Sequence, residues 1–326
     1  MQQRKLGPFT VSAIGLGCMN IAFGYGECSD EEAGELLNAS LDAGYTFLDT
    51  AELYGAGRSE SLMAQYLHSR RNEYTLATKC GLSANGMKGS PEEIRKSCEG
   101  SLQRLKTDVI DLYYLHRADP KVPIEESVGE MGRLVDEGKV QTIGLSEVST
   151  ENLKRAHKER AITALQSEYS LWSRTPERGI LNACRELGVT FVPFSPLGRQ
   201  FLTGESPDVS ALPEDDLRCT IARPRFEPDA FEKNAKLLKR FGEIADANGC
   251  SKAQLALAWL LNIEEGALIP IPGTRNPDHA RDNAGAASVS LDAPTLTELN
   301  ELINESTVIG DRYTADRMAS ADSEKD

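Results

Sequence analysis

The chain has 326 residues, 40% of them hydrophobic, enough for a sizeable core. Its 50 acidic and 36 basic side chains leave a net charge of -14 at pH 7, with no long basic run, which argues against nucleic acid or an anionic membrane surface as a partner. Seven scattered cysteines without a CxxC pair, no Cys/His cluster of zinc spacing, no apolar leader behind Met1 and no apolar run of membrane-spanning length predict a metal-free cytoplasmic protein with reduced thiols.

In chain order, residues 4–11 read as a short β-hairpin centred on Gly7-Pro8. Ile14-Gly15-Leu16-Gly17 is a small-residue strand. Ser29 with Glu32 three residues on forms a capping box for a helix with apolar positions at Ala33, Leu36, Leu37 and Leu41. An apolar strand over 45–48 then runs into Asp49-Thr50-Ala51-Glu52-Leu53-Tyr54 and the loop Gly55-Ala56-Gly57. A helix over 59–67 and a strand over 74–78 ending at Lys79 follow. Ser90-Pro91-Glu92-Glu93 opens the next helix with a capping box, and a strand over 109–115 ends at His116. The alternation continues with helices over 124–136, 151–158 and 175–187 and strands over 140–145, 162–165 and 189–192. A Gly/Pro/charge-rich stretch fills 198–228. Helices over 231–248 and 251–262 come next, the second opened by a Ser251/Gln254 box. A last strand over 267–271 leads to a helix started by Asn276-Pro277. Residues 292–306 predict one further helix, and the polar tail is expected to fray over 319–326.

Eight strands, nearly all followed by helices, imply a parallel sheet. Within roughly 270 residues that is the size of a (β/α)8 TIM barrel. The predicted architecture is α/β: one such barrel in a single domain, 1–326, with an N-terminal β-hairpin and an extra C-terminal helix. The rival, a doubly wound dinucleotide-binding sheet, needs G-x-G-x-x-G after its first strand, and Gly15 and Gly17 are followed by Asn20 at the third glycine's place.

A carboxylate (Asp49), a phenol (Tyr54), an amine (Lys79) and an imidazole (His116) all fall where strands run out, which is where α/β barrels place their chemistry. Singly, each has an ordinary explanation: a packing Tyr, a structural ion pair, a satisfied His. Together they point to proton transfer. With these four in place the chain resembles the aldo-keto reductase superfamily, and within it the bacterial and fungal general aldo/keto reductases. The resemblance runs from Gly15-Leu16-Gly17-Cys18-Met19 to Gly310-Asp311-Arg312-Tyr313. Its most specific pieces are Leu48-Asp49-Thr50-Ala51 with Tyr54-Gly55, Lys79, the run from Asp111 to His116, Gly144-Leu145-Ser146, Ser195-Pro196-Leu197-Gly198 and Ile271-Pro272-Gly273-Thr274-Arg275.

The resemblance implies NADPH-dependent reduction of aldehydes and ketones by metal-free hydride transfer. Tyr54 would donate the proton, Lys79 would lower the phenol's pKa from about 10, and Asp49 would keep the ammonium charged. His116, as neutral imidazole, would orient the carbonyl. For the cofactor, Asp49, Ser146 and Gln166 fall at family positions near the nicotinamide, and Phe194 where a ring stacks on it. Ser195, Pro196, Leu197, Gly198 and Arg199 would cradle the pyrophosphate through backbone N–H groups and a guanidinium. Gly273, Thr274 and Arg275 suit an adenosine 2′-phosphate, so NADPH is preferred over NADH, and Asp282 and Asn283 match the pair that meets the adenine. Glu147 departs from the usual Asn and cannot donate to the carboxamide oxygen. His279 stands where many NADPH-selective relatives have Arg. The substrate pocket is expected from Phe23, Tyr25, Leu53, Gly81, Leu82 and parts of 198–228, whose Arg218, Arg223 and Arg225 leave open an anionic substrate or a clasp on the cofactor. A monomer is expected, with oligomers left open. The alternatives are a cofactor-sensing binding subunit of the channel β-subunit type and a barrel isomerase or lyase acting on a sugar phosphate.

Overall fold

The computed structural model describes residues 1–204, 208–263 and 268–326. Strands β1 (Gln3–Leu6) and β2 (Phe9–Ser12) form the expected antiparallel hairpin. Then come β3 (Leu16–Gly17), α1 (Asp30–Asp42), β4 (Phe47–Asp49), α2 (Arg58–Leu67), β5 (Thr75–Cys80), a small hairpin of β6 (Leu82–Ser83) and β7 (Gly86–Met87), α3 (Pro91–Leu105), β8 (Ile110–Leu115) and α4 (Ile124–Asp136). The second half holds β9 (Val140–Ser146), α5 (Thr150–Glu159), β10 (Ala164–Glu168), α6 (Ile180–Leu187), β11 (Thr190–Phe194), α7 (Pro228–Ala235), α8 (Leu237–Ala247), α9 (Lys252–Asn262), α10 (Pro277–Gly285), α11 (Ala293–Leu302) and α12 (Ala315–Ser320).

Seven strands form one parallel sheet in the order β3-β4-β5-β8-β9-β10-β11. Residues 268–273 close it into the TIM barrel. Ile269 and Ile271 N–H donate to Phe191 and Pro193 carbonyls at 3.0 Å each, while Gly15 and Gly17 N–H donate to Pro270 and Pro272 carbonyls at 2.9 and 3.1 Å. On the β3 side the two prolines have no N–H to give, so only their carbonyls bond there. The seam is also tight: a Cβ at Gly17 would stand 2.8 Å from the Ile271 carbonyl oxygen. Ala267, where the strand was expected to begin, lies outside the described residues.

Alternation along the strands then sets what faces inward. Phe47, Ala77, Tyr114, Ala164 and Val192 form the barrel interior with Leu6 and Val11 of the hairpin, which plugs the N-terminal mouth. Gly144 completes that layer by leaving room for the Tyr114 ring, 2.5 Å from where its Cβ would be. Two residues further along the same faces come Asp49, Lys79, His116, Gln166, Phe194 and Ser146. The apolar floor of the barrel and the polar residues above it are successive layers of one pattern.

Local signals held at most helix starts. Ser29 and Ser251 make full capping boxes with Glu32 and Gln254. At Ser90 only half the box forms, because Glu93 turns to Lys88 at 3.2 Å. The helix expected over 175–187 is interrupted by Gly179, after a single 3₁₀ turn. That expected over 231–248 is two helices, α7 and α8. Buried Asn234 near their junction exchanges hydrogen bonds with the Ile309 backbone at 2.8 and 2.9 Å. The extra C-terminal helix is α11, capped by Asp292. The tail expected to fray is bonded to the barrel instead: Asp322 accepts from Ser149 N–H at 2.8 Å and Asn152 Nδ2 at 2.7 Å, and Asp326 from Thr150 N–H at 2.8 Å. Composition alone hid this, since each contact is more than 160 residues distant in sequence. Among the described residues no helix is long and apolar enough to cross a membrane, and all seven cysteines are free thiols.

Candidate active site

At the C-terminal rim of the barrel, Lys79 is the hub. Its ammonium donates to Asp49 Oδ1, to the Thr50 carbonyl at 2.7 Å and to the Tyr54 hydroxyl at 3.3 Å. The other oxygen of Asp49 accepts from Gln166 Nε2 at 2.8 Å. Lys79 and Asp49 are each 1% exposed. An ammonium so deeply buried is tolerable only because its carboxylate is present; removing one partner of such a pair costs about 3–5 kcal/mol. Burial opposes the Lys79 charge, but Asp49 and the Tyr54 oxygen outweigh it and hold the ammonium above its ordinary range.

Tyr54 and His116 face each other edge to face, with centroids 5.8 Å apart. For Tyr54 burial is the larger influence and raises the phenol's pKa; Lys79 lowers it, as expected from sequence, but does not win. The phenol is thus held protonated. Burial, then the nearby Arg117 and Lys79 charges, push His116 well below its ordinary value, so it is neutral. Its Nδ1 is buried without a hydrogen-bond partner among the described residues.

These rings open onto a cavity of about 1040 Å³. From the Tyr54–His116 pair its lining passes Ser146, Gln166 and Phe194, then the 195–197 turn, to Thr274, Arg275, Asp282 and Asn283. Phe23, Tyr25, Leu53 and Leu82 line it as expected; Gly81 does not. Asp49, Lys79 and Gly198 are not in the lining either. Asp49 and Lys79 stand behind Tyr54, and Gly198, at φ 57°, is packed against Trp172. Arg199 lines the cavity, but its guanidinium already has protein partners. It is 6% exposed, and its guanidinium turns inward to Glu168 at 2.6 Å and the Arg312 carbonyl at 2.9 Å. Of the three loop arginines only Arg218 lines the cavity, already held by Asp216 at 2.8 Å. Arg225 is bonded to Ser173 and Gly310, and exposed Arg223 pairs with Glu227. Residues 205–207 of this stretch lie outside the described residues. Arg275 donates to the Glu27 carbonyl, linking the last barrel loop to the first.

A profile of the aldo/keto reductase family matches residues 13–304. The chain belongs to the aldo/keto reductase family. It is 41% identical over 322 residues to a probable aldo-keto reductase 1 of Glycine max, covering 96% of this chain and 92% of that one. Among solved structures it superposes on a glycerol dehydrogenase from Gluconobacter oxydans with a TM-score of 0.84 at 28% identity, over 92% of this chain and 94% of that one. An aldo/keto reductase from Klebsiella pneumoniae, in complex with NADP and acetate, gives 0.71 at 26%, over 93% and 95%. Aldo/keto reductases are oxidoreductases that use nicotinamide cofactors and act on small carbonyl substrates.

Two residues of this site have surroundings that the sequence does not show. Glu147, taken as a carboxamide contact of altered chemistry, is 1% exposed and carries four hydrogen bonds: from Ser167 Oγ and Glu168 N–H on one oxygen, and Arg312 and Ser323 on the other. Burial raises its pKa, but Arg312 and Arg117 outweigh that and hold it well below the carboxylate range. Arg312 in turn reaches Glu168 at 3.5 Å and Glu324 at 2.5 Å. The second is Arg117, which follows the strand-end His116 and lines the cavity. The available signals were an acid in place of Asn and an Arg beside a candidate catalytic His.

Proposed function

We propose that this reductase converts aldehydes and ketones to alcohols with NADPH. The observation that carries the proposal is the Lys79 ammonium, held by Asp49 and 3.3 Å from a protonated Tyr54 hydroxyl that faces neutral His116 at a cavity wall. The cavity fits a dinucleotide with a small substrate: it sits at the upper end of the size range of ligand pockets, and its far end carries Arg275, Asp282 and Asn283.

A bound nicotinamide would supply hydride to the carbonyl carbon. The chain's own residues handle the proton and the oxygen. Tyr54 gives its proton to the developing alkoxide, and Lys79 stabilises the phenolate left behind. Asp49 keeps Lys79 aimed, and Gln166 fixes Asp49. His116 orients the carbonyl oxygen. In the oxidative direction Tyr54 accepts the proton. Phe23, Leu53, Leu82 and Met87 give the substrate end an apolar wall suited to aromatic or medium-chain aldehydes. Arg275 favours NADPH by meeting the 2′-phosphate. The seven scattered cysteines without a CxxC pair suit a reducing compartment such as the cytoplasm.

The test is Tyr54→Phe. It keeps the ring and removes the proton, so turnover falls at least a hundredfold while cofactor affinity stays within about twofold. Wild-type turnover in this variant would exclude Tyr54 as the donor.

A further inference from the structure

Arg117 is a half-buried cation with unused capacity. Its Nη1 donates to the His116 carbonyl at 2.5 Å and to Ser146 Oγ at 3.1 Å. Among the described residues, its Nε and Nη2 make no hydrogen bond and it forms no ion pair. Yet the side chain lines the cavity between the His116 and Ser146 strand ends. Beside it, Glu147 is fully committed: both its oxygens are taken by Ser167, Glu168, Arg312 and Ser323. The place where a side-chain amide would offer a donor therefore holds an acceptor at the cavity wall whose oxygens are already taken.

We infer that Arg117 supplies the hydrogen-bond donor to the nicotinamide carboxamide oxygen that Glu147 cannot provide. This rests on the nicotinamide reading above. The chemistry is direct. A carboxamide presents one acceptor oxygen and an N–H₂. Gln166, whose Nε2 is occupied by Asp49, has an amide oxygen to receive the N–H₂. The oxygen needs donors. Ser146 can donate its hydroxyl proton while accepting from Arg117, and the guanidinium has N–H groups in a rigid fork beside it. A charged donor makes this bond stronger than an amide would. It also fixes which face of the ring is presented to a carbonyl held by His116.

The test is equilibrium binding to purified Arg117→Met and Arg117→Lys, followed by intrinsic fluorescence. Two ligands are compared: NADP⁺, and 2′-phospho-ADP-ribose, which lacks only the nicotinamide. Arg117→Met is expected to weaken NADP⁺ about tenfold, or about 1.4 kcal/mol, and to leave the fragment within twofold of wild type. Arg117→Lys, with charge but no fork, falls between. Binding of the fragment also certifies that the variant is folded. Equal losses for both ligands would make Arg117 a structural residue and overturn the assignment. Unchanged NADP⁺ binding with a loss confined to KM for carboxylate-bearing substrates would overturn it in favour of a substrate anchor. If wild-type protein binds neither ligand, it is the nicotinamide reading itself that fails.

Discussion

Arg312→Met is the perturbation that most directly probes how the C-terminal segment is held. Arg312 is 4% exposed and sits between Glu147 at 2.6 Å and Glu168 at 3.5 Å, with Glu324 and Ser323 completing its partners. Glu168 retains Arg199 in the variant, but Glu147 keeps only Ser167, Ser323 and a backbone N–H. Stripping the cation from a buried carboxylate costs about 3–5 kcal/mol. For a chain of this size that lowers Tm by roughly 5–15 °C. The sign of the pH dependence follows from Glu147. Its folded pKa lies below its unfolded value of about 4.5, so its stabilisation is complete above that value and is lost as pH falls through the folded pKa. In the variant, burial is no longer offset by Arg312 and the folded pKa rises, so acid relieves the buried charge. The stability gap between wild type and variant therefore narrows as pH drops below about 5. Urea unfolding at pH 7 and at acid pH measures both. A loss under about 1 kcal/mol at pH 7, or a gap that does not change with pH, would refute the reasoning. Adding Glu147→Gln should recover part of the loss, because it removes the unpaired charge.

Three further outcomes are expected. Because burial keeps Tyr54 protonated, carbonyl reduction should be flat between about pH 6 and 8 while alcohol oxidation climbs with pH; reduction falling over that span would mean that the phenol ionises there and that Lys79 prevails over burial. Arg275→Ala should weaken NADPH about tenfold or more and NADH less than twofold in fluorescence titrations, and equal losses would remove the 2′-phosphate contact. Gly17→Ala should destabilise the fold by about 1–3 kcal/mol, since its Cβ would meet a backbone oxygen at 2.8 Å that can move only with the barrel seam; unchanged thermal unfolding would show that the seam relaxes freely.

Much of the site is legible along the chain because barrel architecture writes it locally. Each strand contributes a short apolar run, and the inward residue beyond it is a site residue: Phe47 then Asp49, Ala77 then Lys79, Tyr114 then His116, Ala164 then Gln166. A period of two and a strand end are enough to place them at one rim. Tyr54 is likewise placed by the Gly55 and Gly57 turn, both at positive φ. Loop side chains are different. Arg199, Arg223 and Arg225 look alike in the sequence, but one binds Glu168, one Glu227, and one Ser173 and the Gly310 carbonyl. Which partner each finds depends on chain folded from elsewhere.

The sequence by itself determined the alternation that makes the sheet parallel, most helix caps, and the four polar residues at the rim, because these depend on neighbours two to four residues away. Only the tertiary structure decided the rest. It brought Arg312 to Glu147 across 165 residues of chain and Asp322 to Ser149 across 173, and so turned an expected loose tail into part of the wall behind the site. It also decided the protonation of Tyr54, since desolvation comes from everything packed around the phenol and outweighs the single lysine beside it. Contacts and dielectric surroundings of that kind are properties of the packed barrel, and no local pattern of residues encodes them.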